Sequence, residues 1–246
     1  MSDRARDFDR GFVIVTLSGF PDIFSQFLRS YTRHEPATPC VVVTSGRMTD
    51  QIFEWAHGDW PDHIPASVTF LPGVEPFSFP RNANRGIRYV GGSDVLLVND
   101  DVQFTCPGSI SNLACIAHDH PEIGVLSPQF TGPTGNILQD HSQVPLRVLT
   151  TSTERLAFAC VFIRKAVFDQ VGYLDERFDG YGRDDDDFCL RVRQTGLKLA
   201  VTPEVVVHHG FGHARWSSSF RRVRYPDGGI DPEMTKKWVE KWGDRA

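Results

Sequence analysis

Long apolar runs are missing from this 246-residue chain. No stretch reaches the roughly 18 apolar residues that a membrane-crossing helix needs, so none is expected. The first residues, Met1 to Asp7 (MSDRARD), are charged throughout and lack the apolar core of a secretory signal. Cysteine is sparse: Cys40, Cys106, Cys115, Cys160 and Cys189 are scattered, odd in number and form no CxxC pair. That argues against a disulfide scaffold and against a zinc site built on cysteine pairs. Free thiols in a reducing, cytoplasmic compartment are the simplest expectation. An excess of positive charge is also absent. The 26 Lys and Arg against 31 Asp and Glu give a net charge of −5, which excludes a wholesale basic coat for nucleic acid but not a local basic patch. There is no P-loop, no GxSxG nucleophile elbow and no HExxH, and Gly91-Gly92 precedes a strand rather than following one. No repeat and no linker interrupts the chain, so one domain over residues 1–246 is expected.

What is present is a globular composition. Apolar residues make up 40 % and charged residues 23 %, with 18 Phe and 5 Trp, enough for a sizeable core. Short β-branched runs alternate with helical spacing through the first hundred residues. Gly11 to Leu17, Cys40 to Thr44, Val68 to Leu71 and Asp94 to Val98 read as buried strands. Residues 21–34, 49–57 and 81–89 read as the helices between them. That alternation predicts an α/β fold with a mainly parallel sheet, in which ligands bind beyond the C-terminal strand ends. Farther on, Ile123 to Leu126 and Leu156 to Ile163 read as strands, residues 129–155 as a long loop over a site, and Ala166 to Val171 and Asp187 to Thr195 as helices. Leu197 to Val207 reads as extended, and Asp231 to Trp242 as a helix.

Four groups could carry chemistry. Asn99-Asp100-Asp101 ends a buried strand. It is either a polar turn or an oxygen-rich edge for a hard divalent cation that takes its remaining ligands from phosphate. Asp184 to Asp187 is either a helix N-terminus, where negative charge is favoured, or a set of carboxylates whose repulsion lifts one of them into the range of a general base. His208-His209, with His213 close by, ends the extended segment; a histidine there can ligate metal, and neighbouring strand residues face opposite ways, so the two need not share a role. Arg215, Arg221, Arg222 and Arg224 interleave with Trp216, Phe220 and Tyr225. That segment suits a diphosphate, a nucleic-acid backbone, or simply solvent.

The order of these groups resembles the nucleotide-sugar glycosyltransferases of the GT-A fold, in particular the large family two. Phe79 to Tyr89 (FPRNANRGIRY) and Ser93 to Val102 (SDVLLVNDDV) are similar to that family's "N-x-G-I … G-D-y-l-l-l-l-N-D-D" passage. Phe158 to Lys165 and Phe168 to Phe178 resemble its acceptor-side passage, which ends "v-G-g-f-D-E-x-F". Gly182 to Arg191 (GRDDDDFCLR) resembles "G-x-E-D-x-D-l-c-l-R", and Pro203 followed by His208-His209-Gly210 resembles the strand ending "H-h-g". The likeness covers about residues 10–215. It implies a single GT-A, Rossmann-like domain, with a nucleotide-sugar half (about 10–101), an acceptor half (about 102–215) and a closing loop and helix (216–246).

The resemblance also implies roles. Asp101 would hold a divalent metal, Mn²⁺ or Mg²⁺, with Asn99 at the first position of the motif and His208 completing the site; His209 is the second choice. Asp185 would be the catalytic base, beside Asp184. Asp187 and Arg191 would form a structural cap and ion pair. Thr16, Ser18, Ser45, Arg81, Asn84, Asp100, Arg215 and Arg221 would face the donor, a nucleoside-diphosphate sugar. The second strand ends Thr44-Ser45-Gly46 where the family has an acidic residue, which leaves the nucleotide open among UDP, GDP and dTDP. The implied reaction inverts the anomeric carbon of the sugar while moving it to a hydroxyl of a glycan or small molecule. Two rivals stand beside it: the same chemistry on a hydroxylated base in DNA, and a sugar-nucleotide-binding module without turnover.

Overall fold

The computed structural model describes residues 12–17, 21–44, 64–65, 67–132, 137–141, 147–149, 154–210 and 230–243. Four strands form the first half of one sheet: β1 (Phe12–Leu17), β2 (Cys40–Thr44), β3 (Val68–Pro72) and β4 (Val95–Asn99), in the order β3-β2-β1-β4 and all parallel. Burial of CVVVT and VLLV along their whole length is what a strand covered on both faces requires. Alternate side chains divide between two layers. Val42, Leu96 and Val98 join the layer beneath α1 (Pro21–His34), where Phe24, Phe27 and Tyr31 stack at 5.9 and 6.0 Å. Val41, Val43, Val95 and Leu97 join the layer beneath α2 (Phe79–Val90), with Ala83 and Ile87.

The exit from β3 is a backbone-to-backbone contact. Gly73 donates its N–H to the Thr44 carbonyl at 2.6 Å, and a Cβ at Gly73 would lie 2.2 Å from that oxygen. Only glycine allows this approach, and it sets the start of α2 at the C-terminal edge of the sheet.

Beyond β4 the sheet is mixed. The order continues β8 (Cys160–Ile163), β6 (Ile123–Thr131), β9 (Lys198–His209) and β5 (Val102–Phe104), with β7 (Arg147–Leu149) also on β9. Among the described residues β6–β9 is parallel, whereas β4–β8, β6–β8, β5–β9 and β7–β9 are antiparallel. The expected parallel arrangement therefore holds for the first half and for the β6–β9 pair, while the other pairings of the second half are antiparallel. Short buried runs look alike in either direction, so their composition carried no sign of the reversal.

Other boundaries also move. The segment 129–155, expected as loop, contains the end of β6, a 3₁₀ turn at Ile137–Gln139 and β7. Helix α3 (Ser109–Asp119) was not anticipated, although Ile110, Leu113, Ala114 and Ala117 mark its buried stripe. β8 begins at Cys160 rather than Leu156. After α4 (Lys165–Val171), helix α5 (Asp184–Gln194) begins at Asp184 rather than Asp187, and α6 (Pro232–Trp242) closes the described chain. The expected helix over 49–57 lies outside the described residues. No helix among the described residues is long and apolar enough to cross a membrane.

Candidate active site

The first acidic group sits where β4 leaves the sheet. The Asn99 N–H donates to the Ala159 carbonyl at 2.9 Å, and Asp100 and Asp101, both buried, turn the chain into β5. Val102 then pairs with His209, and the Gly210 N–H donates to the Asp101 carbonyl at 3.1 Å. This register places His209 Nε2 3.5 Å from Asp101 Oδ1. His208, the first choice from sequence, faces the other way: its Nδ1 lies 3.1 Å from the Thr131 hydroxyl. The alternation of side chains along β9 puts His209, and not His208, beside Asp101.

A carboxylate oxygen and an imidazole nitrogen suit an open divalent site. Among the described residues no group of three or more His, Cys, Asp or Glu gathers around a common point. The pair therefore fits a cation that draws its other ligands from phosphate and water, as Mg²⁺ and Mn²⁺ do, rather than a closed protein cage.

The second acidic group is the N-terminus of α5. Gly182 and Arg183 both take positive φ, at 93° and 75°, and turn the chain sharply into the helix. Asp186 is paired with Arg155 at 3.1 Å and Arg183 at 3.0 Å; Arg191 donates to Asp187 at 2.8 Å. Among the described residues Asp184 and Asp185 form no such ion pair. Burial pushes both carboxyls up. The charge of Asp185 adds to this at Asp184, which stands well above the usual range. The charge of Asp186 adds to it at Asp185, which reaches about 7 even against the Asp186 amide and the Arg155 guanidinium. Of two raised carboxyls on one helical turn, Asp185 thus titrates near neutrality, where a general base works best.

One short segment ties the two groups together. Residues 155–159 run from Arg155, bound to Asp186, to Ala159, bound to Asn99. Four backbone steps span at most about 14 Å, comparable to the length of a sugar diphosphate. Gln139 clamps the middle of this segment: its Oε1 accepts from the Ala157 N–H at 2.8 Å and its Nε2 donates to the Ala157 carbonyl at 3.0 Å.

The remaining sequence candidates divide. Thr16, one residue before the end of β1, is in register with Asn99, on the same edge of the sheet. Arg81 lies 3.6 Å from Asp179 at the wall of a cavity of about 520 Å³, which Arg177, Lys237 and Lys241 also line. Asn84 requires a correction, because its fully buried amide is committed within the protein. Its Nδ2 donates to the Leu174 carbonyl and to Glu176, both at 2.9 Å, and its Oδ1 accepts from the Leu174 N–H at 3.0 Å. It therefore braces the 173–176 loop against α2 rather than facing a donor. Asn84→Ala should cost about 2–4 kcal/mol of stability, read as a lower midpoint in urea unfolding. Ser18, Ser45, His213, Arg215 and Arg221 lie outside the described residues.

Sequence reading missed Arg155, Arg183, Gln139, Lys241 and Trp242. Arg155, Lys241 and Trp242 reach the acidic groups through space from positions with no motif of their own, Arg183 pairs with Asp186 from within the acidic block, and Gln139 acts through Ala157.

Residues 151–213, which include the α5 acids and the His208-His209 strand end, match a family model described as the N-terminal domain of galactosyltransferase. The chain is 27 % identical over 237 residues to an N-acetylglucosaminyl-diphospho-decaprenol L-rhamnosyltransferase of Mycobacterium tuberculosis, covering 80 % of this chain and 75 % of that protein. It is 26 % identical over 225 residues to the O-antigen biosynthesis protein RfbC of Myxococcus xanthus, covering 80 % of this chain but spanning only 17 % of that protein's length. A mannosyltransferase from Pyrobaculum calidifontis, solved with GDP-Man and Mn²⁺, superposes with a TM-score of 0.64 over 97 % of this chain and 70 % of its own, at 15 % identity. The fold is that of the GT-A glycosyltransferases.

Proposed function

We propose that this chain transfers a sugar from a nucleoside-diphosphate sugar to a hydroxyl of a glycan or small-molecule acceptor, with inversion at the anomeric carbon. The observation that carries the reading is the Asp184-Asp185 pair, both carboxyls pushed up and Asp185 to about 7, joined by residues 155–159 to the Asp101 end of β4. Asp185 is the base: at about pH 7 it takes the proton from the attacking hydroxyl as the new glycosidic bond forms and the nucleoside diphosphate departs. Asp184 shares its proton equilibrium. Asp101 and His209 would hold a divalent cation, with Asn99 and Asp100 shaping the turn. A bound cation would neutralise the charge that develops on the leaving diphosphate. Arg81, and Thr16 near the end of β1, border the donor.

The relatives support a sugar donor and a glycan-type acceptor. One is named for transfer onto a diphospho-decaprenol sugar, and a structural neighbour holds GDP-Man with Mn²⁺. The DNA-base alternative rested on the arginines at 215–224, which lie outside the described residues, and nothing in the comparisons favours it.

A thermal-shift panel of UDP-, GDP- and dTDP-sugars with and without Mn²⁺ tests the reading. One nucleotide class should raise Tm in a metal-dependent way, because ligand at about 100 times Kd adds about 2.7 kcal/mol. No shift with any donor would count against it.

A further inference from the structure

Asp187 is the one carboxylate of the run 184–187 with no exposure at all. A buried carboxylate is costly unless it is paired and hydrogen-bonded. Here the partners come from two helices. Arg191, one turn farther along α5, donates at 2.8 Å; from α6 the Lys241 ammonium donates to Oδ1 and the Trp242 Nε1–H donates to the same oxygen at 2.9 Å. Lys241 is shared with Asp175 at 2.8 Å, whose carboxyl is held well below the usual range: burial opposes this, but hydrogen bonds from Arg177 and Lys241 prevail.

Helix α6 grips the same stretch at further points. The Asp231 N–H donates to the Tyr181 carbonyl at 2.9 Å, and Lys237 donates to the Arg177 carbonyl at 2.8 Å and to Asp179 at 2.7 Å. The Arg183 guanidinium lies 5.1 Å over the Trp238 ring while its Nη1 donates to Asp186 at 3.0 Å. Arg183 is the one described non-glycine residue with positive φ, a conformation that persists only when its surroundings hold it. The Arg177 and Tyr181 carbonyls and the Asp179 and Arg183 side chains all belong to the segment that leads into Asp184 and Asp185. The apolar side of α6, with Met234 and Trp238 on Phe178, forms a cluster apart from the two layers of the sheet. Loosening it would leave the sheet core standing.

We propose that α6 is a clamp, with Lys241 and Trp242 as positioning residues that hold Asp185 through Asp187 at the angle from which it takes the acceptor proton. The inference rests on the reading of Asp185 as the base. Among the described residues, Asp184 and Asp186 flank Asp185 on its own turn, Arg183 pairs with Asp186 from the turn before the helix, and Arg155 faces them from the 154–159 segment. Arg191 and Lys241 face Asp187, with Asp175 and Arg177 behind Lys241.

The test uses the full chain with Lys241→Met, Lys241→Arg and Trp242→Phe. A ¹³C-carboxyl NMR titration reads the Asp184-Asp185 pair without any need for turnover. Loss of a positive charge should move its midpoint to higher pH in Lys241→Met, Lys241→Arg should restore it, and Trp242→Phe should move it less. In parallel, kcat at pH 7 should fall about tenfold in Lys241→Met, with donor Kd changed less than about twofold, as expected for misplaced rather than missing chemistry. A folded Lys241→Met with an unmoved midpoint and an unchanged kcat would overturn the clamp. If Lys241→Met does not fold, Trp242→Phe decides: an unmoved midpoint overturns the clamp, and a raised one supports it. Wild-type protein that turns over no nucleoside-diphosphate sugar would sink the proposed reaction, while the titration would still judge the clamp.

Discussion

Asp185→Asn should lower turnover of the nucleoside-diphosphate sugar by about 10²–10⁴-fold while leaving donor binding in place. Asn keeps the size of the side chain and can still accept the Asp186 N–H, which Asp185 accepts at 2.8 Å, so the helix start survives. What is lost is the site that takes up the proton. The same substitution should raise stability. The Asp185 carboxyl is pushed up to about 7, against an ordinary value of about 3.9. Between those pH values the folded state keeps a proton that the unfolded chain releases. Stability therefore falls as pH rises from about 4 to about 7, and the full penalty remains above that. Asp185→Asn removes the penalty, so the variant should be more stable by about 1–3 kcal/mol above pH 7, the lower end reflecting the partial exposure of the side chain. The advantage should vanish below about pH 4. Urea unfolding at pH 8 and pH 4 checks this, and equal gains at both would show that the carboxyl is not strained. An inactive yet more stable variant is the signature of a residue held in an unfavourable state for function.

Asp101→Ala should weaken metal-dependent donor binding by about 100-fold or more, since loss of an outer-shell partner alone commonly costs 10–100-fold. The two histidines separate in the same titration. His209 stands 3.5 Å from Asp101, whereas His208 faces Thr131. His209→Ala should cost about 10–100-fold, and His208→Ala should stay within about twofold. Calorimetric titration with the donor in Mn²⁺ reads all three. Asp101→Ala should also lose the difference between Mn²⁺ and chelator, and a variant that keeps it would place the metal elsewhere.

Much of this was legible in the residues. The β-branched runs marked β1, β2 and β4 to within a residue or so; β2 and β4 are buried along nearly their whole length, and a strand covered on both faces has little freedom in composition. The order of Asn99-Asp100-Asp101, the α5 acids and the paired histidines marked the candidate site, since each follows the end of a strand or opens a helix. Three things were not legible. The reversal at β8 depends on pairing partners, which a short apolar run does not name. The choice of His209 over His208 depends on the register of Val102 against β9, a contact between residues about a hundred positions apart. The support of the α5 acids comes from Arg155, Lys241 and Trp242, single residues in unremarkable local sequence that meet Asp186 and Asp187 only in the fold. Asn84 shows the opposite case, in which a motif position fills a structural need.

The most direct test is nucleoside diphosphate release from the donor identified by the thermal-shift panel, measured with Mn²⁺ and with chelator for wild type, Asp101→Ala and Asp185→Asn. The expected result is metal-dependent release by wild type that rises through about pH 7 and is lost in both variants. Release at wild-type rates by either variant would contradict the assignment of these two carboxylates as the chemical centre.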